Sequence, residues 1–285
     1  METPIAKMIT DKKTNKLFLA DCLPLLQPKF FNRFEKVLNY CKIKFQFLPG
    51  TNDIWAVDYM PVQISKNEFV QFTYNPDYLQ LKKYRKTISN VDNICQKINL
   101  TTQKSKLIID GGNVVRSEDK VIMCDKVFHE NKSLFEKEVI KQLRELFQVD
   151  KLYFVPWDTD DFIGHADGMV RFIDNNTVLI NEYSKDNPEI QTNLRMSLHN
   201  AGLDWIELPY NPPNVPDSIS ARGLYLNYLQ TEQAIIVPVF KTKYDDKALK
   251  IMEQVFKGQT IVSVESNDLA DEGGILNCIT WNIKE

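Results

Sequence analysis

Hydrophobic and polar positions along this chain follow two periods that alternate in a fixed order. Segments in which apolar residues recur every three to four positions predict amphipathic helices. Each is followed by a short run, rich in aromatic or β-branched residues and bounded by Pro, Gly or Asp, that predicts a buried strand. The predicted helices are 28–42, 86–98 (the weakest), 133–147, 188–201 and 244–257, and the strands after them are 45–48, 107–109, 152–155, 205–208 and 261–264.

This order repeats along the chain, because a glycine and a polar hairpin follow most of these strands. The hairpin predicted at 62–70 belongs to the first copy of the unit. A fixed period of this length is typical of repeat architectures. The glycines at the corresponding positions are Gly112, Gly168, Gly223 and Gly274, 51 to 56 residues apart, and Asp58 lies 52 residues before Asp110.

Five copies of one unit, the last truncated and beginning at Gly274, imply a closed arrangement. Repeats of this kind cannot bury their apolar faces alone, and no long linker separates them. We therefore expect an α/β fold with five strand–hairpin–helix repeats in a ring, in one domain over residues 1–285. Coincidental alternation of helices and strands is the alternative interpretation.

Composition excludes several classes of protein. The chain of 285 residues is 43% hydrophobic and 26% charged, as in ordinary globular proteins. Its net charge is -3 and no run of Lys or Arg stands out, so we expect no nucleic-acid partner. The longest apolar stretches, such as 234–240, are far shorter than the ~20 residues that span a bilayer, and no secretory signal is visible at the N-terminus. We expect a cytoplasmic protein with no membrane partner; the sequence leaves open whether it forms a homo-oligomer.

The cysteines and histidines do not predict a metal site. The five cysteines are an odd number without a C-x-x-C pair, which favours reduced thiols over a disulfide framework. The three histidines, His129, His165 and His199, are too far apart for a helical metal-binding pair. We therefore expect no metal.

Polar residues with reactive side chains occur at the strand ends of successive repeats, and their convergence on one cavity would form a site. Each has a structural alternative: Asp110 as a turn residue, His165 as a satisfied buried histidine, Cys278 as a small hydrophobe. On an extended segment His165 and Asp167 would face the same side. The residues concerned are Asp58, Asp110, His165, Asp167, Arg222 and Cys278.

The segments around these residues resemble the guanidino-group-modifying pentein superfamily, most closely agmatine deiminases and bacterial peptidylarginine deiminases. Residues 55–61 (WAVDYMP) resemble the family's W-x-R-D-x-G-P, and 110–113 (DGGN) resemble its E-G-G-N/S. Residues 164–167 match G-H-x-D in full, and 273–280 (GGILNCIT) resemble G-G-N-I-H-C-I-T. A further stretch, 226–228 followed by 237–240, is similar to the family's N-F/Y before V-P-x-F. Order and spacing agree over residues 52–283.

The resemblance implies a pentein α/β propeller and a deiminase that needs no cofactor. It implies a hydrolase that acts on a small cationic guanidine, with agmatine converted to carbamoylputrescine and ammonia as in polyamine biosynthesis. Cys278 would be the nucleophile, His165 the general acid and base, and Asp110 the residue that orients His165. The residues expected to bind substrate are Asp58, Asp167, Trp55, Asn113 and Arg222.

This chain departs from the family pattern at four positions. Val57 and Met60 replace Arg and Gly, Asp110 is one methylene shorter than Glu, and Asn277 stands in place of His. Substrate identity therefore stays open between agmatine, arginine, peptidylarginine and methylarginines. Amidino transfer to an amine, and a non-catalytic guanidinium-binding protein, are the remaining alternatives.

Overall fold

Fifteen strands form five three-stranded sheets in the computed structural model, which describes residues 7–158, 161–183, 187–213 and 219–285. The middle strand of each sheet pairs antiparallel with one neighbour and parallel with the other. In spatial order, the sheets are β15 (Thr280–Ile283), β1 (Lys16–Ala20) and β2 (Phe45–Leu48); β3 (Val62–Ser65), β4 (Glu68–Thr73) and β5 (Gln103–Ile108); β6 (Val115–Arg116), β7 (Lys120–Cys124) and β8 (Lys151–Val155); β9 (Val170–Phe172), β10 (Thr177–Asn181) and β11 (Asp204–Leu208); β12 (Leu229–Gln230), β13 (Ala234–Val239) and β14 (Thr260–Glu265).

A helix connects the two parallel strands in every sheet, since parallel neighbours need a crossover connection. These crossover helices are α2 (Pro28–Tyr40), α5 (Val91–Lys97), α7 (Glu136–Phe147), α8 (Pro188–Asn200) and α9 (Asp245–Val255). Shorter helices lie in the connections: α1 (Leu23–Leu26), α3 (Ala56–Tyr59), α4 (Lys82–Arg85), α6 (Lys126–Glu130) and α10 (Asn267–Ala270). All five predicted helices and all five predicted strands are present, with ends shifted by a few residues.

The two ends of the chain meet in one sheet and close the ring. Strand β1 pairs antiparallel with β15, from Lys16 opposite Ile283 to Leu19 opposite Thr280. The truncated fifth copy that begins at Gly274 is therefore completed by β1, α2 and β2 from the other end of the chain. The predicted α/β class and the five ββαβ repeats are confirmed, although the sequence pattern had not indicated β1.

The prediction that the strands after the helices are buried was wrong. Gln46 and Phe47 in β2 are exposed, whereas every residue of β7 is buried. The third strand of each sheet is an edge strand with a neighbouring strand on one side only. The middle strand has a neighbour on both sides, and its apolar residues pack against the helix, as Leu17 and Leu19 of β1 do with Phe30 and Phe34 of α2.

The helices of the described part of the chain are short or amphipathic. None combines the length with the apolar character that crossing a lipid bilayer requires.

Candidate active site

The connections at the strand ends bring the predicted polar residues together. The main-chain N–H of Val57 donates to the carbonyl oxygen of Cys278 at 3.2 Å, which links residues more than 200 positions apart. Asp58 lies in α3, and Asp110 lies two residues after the end of β5. His165 precedes the 3-10 turn Ala166–Gly168 that contains Asp167, and Cys278 lies just before β15.

His165 lies between two carboxylates, and we call His165, Asp58, Asp110 and Gly112 the imidazole half of the site. Its Nε2 is 2.9 Å from Oδ2 of Asp110, and its Nδ1 is 3.5 Å from Oδ1 of Asp58. Oδ1 of Asp58 also accepts a hydrogen bond from the main-chain N–H of Gly112 at 3.1 Å. All three side chains are buried. The imidazole therefore has a carboxylate next to each nitrogen and a hydrogen bond at Nε2.

Glycine at position 112 is required by the close approach of these groups. A Cβ at this position would lie 2.6 Å from both Oδ1 of Asp58 and Nδ1 of His165. Real Cβ atoms do not approach other atoms so closely, so a larger residue would have to displace Asp58 and His165. The repeated glycine of the sequence pattern thus has a specific purpose in this copy.

Cys278 and Asp167 form a second cluster with two asparagines, and we call Cys278, Asp167, Asn227 and Asn277 the thiol half. Oδ2 of Asp167 accepts hydrogen bonds from Asn277 Nδ2 at 2.6 Å and Asn227 Nδ2 at 3.2 Å. Asn227 Nδ2 is also 3.2 Å from Sγ of Cys278, and Sγ is 3.9 Å from Oδ2 of Asp167. Oδ1 of Asn227 accepts from the main-chain N–H groups of Asn277 and Cys278. Asn227 therefore fixes both the thiol and the carboxylate.

The two halves face one cavity of about 250 Å³. Cys278, His165 and Asp167 line it, whereas Asp58 and Asp110 do not, among the described residues. The extended geometry predicted for His165 and Asp167 was wrong, since Asp167 lies in a 3-10 turn, yet both side chains reach the cavity.

Part of the cavity wall is acidic and aromatic. Asp158 and Asp161 line it together with Phe162, Tyr183 and Tyr210. No lysine or arginine occurs among the described residues of its wall.

The imidazole half retains a proton at neutral pH. Burial opposes the charged form of His165, but the charge of Asp58 and the hydrogen bond and charge of Asp110 raise its pKa to about 10. Burial also raises the pKa of Asp58 to about 8, against the attraction of His165. These two groups titrate as a pair, so the pair keeps a proton that an isolated histidine would have lost.

The thiol half is also protonated at neutral pH, for a different reason. Burial raises the pKa of the Cys278 thiol well above its ordinary value, and the negative charges of Asp167 and Asp58 raise it further. Burial likewise raises the pKa of Asp167. In the absence of a cation, Cys278 is therefore a thiol.

Trp55 and Asn113, both predicted to bind substrate, contact segments of the main chain that carry site residues. The ring of Trp55 packs against Gly274, where a Cβ would lie 2.6 Å from it, and Gly274 lines the cavity. Asn113 has its amide occupied by main chain: Oδ1 accepts from the N–H groups of Cys124 and Ala166, and Nδ2 donates to the oxygen of Cys124. Asn113 therefore fixes the segment after His165, and the predicted substrate contact does not agree with this geometry.

Arg222, the third such prediction, lies outside the cavity wall. Its side chain is 44% exposed and pairs with Asp271 at the surface. The sequence predicted that Arg222 could pair with a carboxylate. It could not show whether that carboxylate would belong to the substrate or to the protein.

The positions that depart from the family pattern lie on both sides of the site. Val57 and Met60 line a smaller cavity of about 60 Å³ on the other side of Asp167. Asn277 donates to Asp167, a contact that the sequence motif did not reveal. Asn227 was within a recognised motif, but no feature of the sequence indicated that it touches the thiol.

Comparison with known structures shows the same fold. The structure matches an agmatine deiminase of C. jejuni with a TM-score of 0.82 and 20% sequence identity, covering 100% of this chain and 98% of the other. It matches the dimethylarginine dimethylaminohydrolase (DDAH) of Pseudomonas aeruginosa with a TM-score of 0.61 and 10% identity, covering 95% and 100%. The fold is therefore the pentein α/β propeller.

Proteins with similar sequences include agmatine deiminases. A protein of Mycoplasma mycoides, assigned by name as an agmatine deiminase, is 24% identical over 219 residues, which cover 66% of this chain and 60% of the relative. The agmatine deiminase of Medicago truncatula is 24% identical over 210 residues, 61% and 56% of the two chains. The matches thus span about 60% of the length of these relatives. The family model of the Porphyromonas-type peptidyl-arginine deiminases matches residues 5–283, and the chain belongs to this family.

Proposed function

We propose that this protein is a deiminase that hydrolyses the guanidinium group of agmatine to carbamoylputrescine and ammonia through a covalent intermediate on Cys278. One observation carries the proposal: a thiol, an imidazole and a carboxylate line the same cavity of about 250 Å³. The names of the sequence relatives support it.

Carboxylates hold the substrate in this mechanism. A guanidinium is planar and cationic and presents N–H donors in a fork, which carboxylates accept in pairs. Asp167 supplies one carboxylate next to Sγ of Cys278. Asp58 does not line the cavity, but its charge acts on Asp167 and Cys278 and adds to the attraction for a cation. Asp167 therefore places the guanidinium carbon within reach of the sulfur.

The bound guanidinium lowers the pKa of Cys278 and the pKa of His165, and both changes favour the reaction. A positive charge favours the thiolate, so Cys278 loses its proton to solvent when the guanidinium binds. The same charge lowers the pKa of His165, which makes its imidazolium a better acid. The protein thus activates its nucleophile only when the substrate is present.

The reaction then proceeds in two steps. The sulfur of Cys278 forms a bond to the guanidinium carbon, and a proton from His165 leaves with one nitrogen as ammonia, which gives an S-alkylthiouronium. Neutral His165 next takes a proton from water as the water oxygen attacks the same carbon. The C–S bond breaks, the thiolate returns, and the last hydroxyl proton passes to solvent to give the ureido product. Asp110 orients His165 through its contact with Nε2.

The acidic part of the cavity wall favours a substrate with a cationic tail. Asp158 and Asp161 would attract the ammonium of agmatine and repel the carboxylate of free arginine. No described residue of the wall offers a cation for a carboxylate. This observation supports agmatine over arginine, while peptidylarginine, which has no free carboxylate at this position, is the second candidate.

The test is product formation from a panel of guanidines. Purified protein should release ammonia and a ureido product from agmatine faster than from arginine, methylarginines or an arginine peptide. Cys278→Ala should abolish this activity, and Cys41→Ala, which removes a half-buried thiol on α2's C-terminal side, should retain it. Faster turnover of the peptide would select peptidylarginine deimination, and capture of the amidino group by an added amine would select transfer. Thermal stabilisation by agmatine without turnover would indicate a guanidinium-binding protein and reject the proposal.

A further inference from the structure

One oxygen of Asp110 carries all of its side-chain contacts. Oδ2 lies 2.9 Å from Nε2 of His165 and accepts a hydrogen bond from the hydroxyl of Tyr78 at 2.6 Å. Oδ1 is buried and has no hydrogen-bond partner in the described part of the chain. A buried carboxylate with one unpaired oxygen is costly, and its orientation depends on the donors at the other oxygen. Tyr78 is one of those two donors.

Tyr78 reaches Asp110 from a separate segment of the chain. It lies in the 3-10 turn Asp77–Leu79, in the connection between β4 and β5. Its ring centroid is 6.4 Å from that of His165, edge to face. Tyr78 therefore contacts both members of the His165–Asp110 pair, although it is not next to them in sequence or among the residues that line the substrate cavity.

Lys126 holds this turn against the segment that leads to His165. Its buried Nζ lies 3.0 Å from Oδ1 of Asp77 and donates to the carbonyl oxygens of Phe162 at 2.6 Å and Ile163 at 3.1 Å. The same Nζ is 5.1 Å from the ring of Tyr78. Lys126 thus holds the turn that contains Tyr78 and the loop before His165 in fixed positions relative to each other.

We propose that Tyr78 is a positioning residue for His165: its hydroxyl fixes Asp110 so that Oδ2 stays on Nε2, which holds the imidazole in the orientation in which it lines the substrate cavity. The kinetic part of this proposal rests on the proposed deiminase function. The structural part does not, because the hydrogen bond acts on His165 in the free protein.

The first test is an NMR titration of His165 in the wild type and in Tyr78→Phe. The chain has three histidines, so their side-chain signals can be assigned by substitution. The charged groups that face His165 are Asp58 from α3, Asp110 after β5 and Asp167 from its own segment, and all three remain in the variant. Without the hydroxyl that holds Oδ2 on Nε2, Asp110 contacts the imidazolium less closely, so the pKa of His165 should fall by about half a unit or more. An unchanged titration would overturn the proposal.

The second test is kinetic and uses a matched tyrosine. Tyr78→Phe should lower kcat for agmatine about tenfold, the effect of losing one hydrogen bond to a charged group, with KM near the wild-type value. Tyr84→Phe removes a hydroxyl from the same segment at a side chain that is 40% exposed, and kcat should stay within twofold. Asp77→Asn weakens the anchor to Lys126 but keeps Tyr78, and should lower kcat in the same direction by less. Wild-type kcat in both Tyr78→Phe and Asp77→Asn would overturn the proposal.

The two proposals fail in different ways. A wild-type protein that hydrolyses no guanidine would reject the deiminase function, and the His165 titration would still decide whether Tyr78 positions the imidazole.

Discussion

The imidazole half and the thiol half of the site hold their protons by opposite means. Carboxylates surround His165, and their charges keep the imidazolium protonated to a pKa of about 10 despite its burial. Around Cys278 the direct contacts are neutral amides and one carboxylate, and burial with negative charge keeps the thiol protonated. His165 is thus stabilised as the charged imidazolium, and Cys278 is stabilised as the neutral thiol.

This difference explains why a cation suits the site. A positive charge bound next to Asp167 in the cavity would lower the pKa of Cys278 and the pKa of His165, which turns Cys278 into a nucleophile and His165 into a usable acid. An anionic or neutral ligand would do neither. The chemistry that we propose follows from this contrast, and the following variants test it from the largest expected effect to the smallest.

Asp167→Asn removes the carboxylate of the thiol half while keeping its shape. We expect kcat/KM for agmatine to fall about 10²–10³-fold, because a bidentate partner of the guanidinium is lost. Alkylation of Cys278 by iodoacetamide at pH 8 should become faster, since the loss of negative charge lowers the thiol pKa. Asp204→Asn, at an exposed position in β11, serves as the control. Slower alkylation in Asp167→Asn would contradict the assigned electrostatics.

Gly112→Ala disturbs the imidazole half without changing its charges. The added Cβ would lie 2.6 Å from Asp58 Oδ1 and His165 Nδ1 and must push them apart. We expect kcat to fall about 10²-fold and the free energy of unfolding to drop by about 1–3 kcal/mol. In Gly168→Ala the nearest atom would be 3.6 Å away, so its effect should be clearly smaller. Equal activity in the two variants would argue against the close packing.

Asp110→Asn removes one of the charges that hold the proton on His165. The pKa of His165 should fall from about 10 towards its ordinary 6.5, measured by NMR titration. A histidine with a raised pKa stabilises the fold fully below pH 6.5, and this stabilisation is lost as the pH rises through about 10. In the variant the loss should therefore begin at lower pH in thermal unfolding curves, and kcat should fall about tenfold. A His165 titration identical to that of the wild type would exclude Asp110 as its partner.

Arg222→Ala should have the smallest effect. Its exposed pair with Asp271 predicts a change in the free energy of unfolding within about 0.5 kcal/mol and a kcat/KM within twofold of wild type. A large rise in KM for agmatine would restore Arg222 as a substrate contact.

Periodicity predicted the fold well, because the repeated unit carries its own local signals. The exception was β1, whose antiparallel partner β15 lies at the opposite end of the chain. Local pattern cannot reveal such a pairing. The burial of the edge strands was also misjudged, since apolar composition does not show whether a strand has one neighbour or two.

The site was predictable only where a motif extended to it. Cys278, His165 and Asp110 were singled out through motif resemblance and strand-end position. Tyr78 and Asn227 are 32 and 51 residues from Asp110 and Cys278 in sequence. Asn227 lies within a recognised motif and Tyr78 does not, but no local feature of the sequence indicated either contact. Asn113 and Arg222 were singled out by residue type and position. In the structure their hydrogen-bond partners are the main chain of Cys124 and the side chain of Asp271, which only the folded chain brings close.

The most direct measurement of the central claim is intact-mass analysis after treatment with 2-chloroacetamidine, whose amidinium group resembles a guanidinium. The account predicts one adduct per chain, located on Cys278, absent in Cys278→Ala and slowed by excess agmatine. Modification of Cys22, Cys41, Cys95 or Cys124 instead, or labelling that agmatine does not slow, would contradict it.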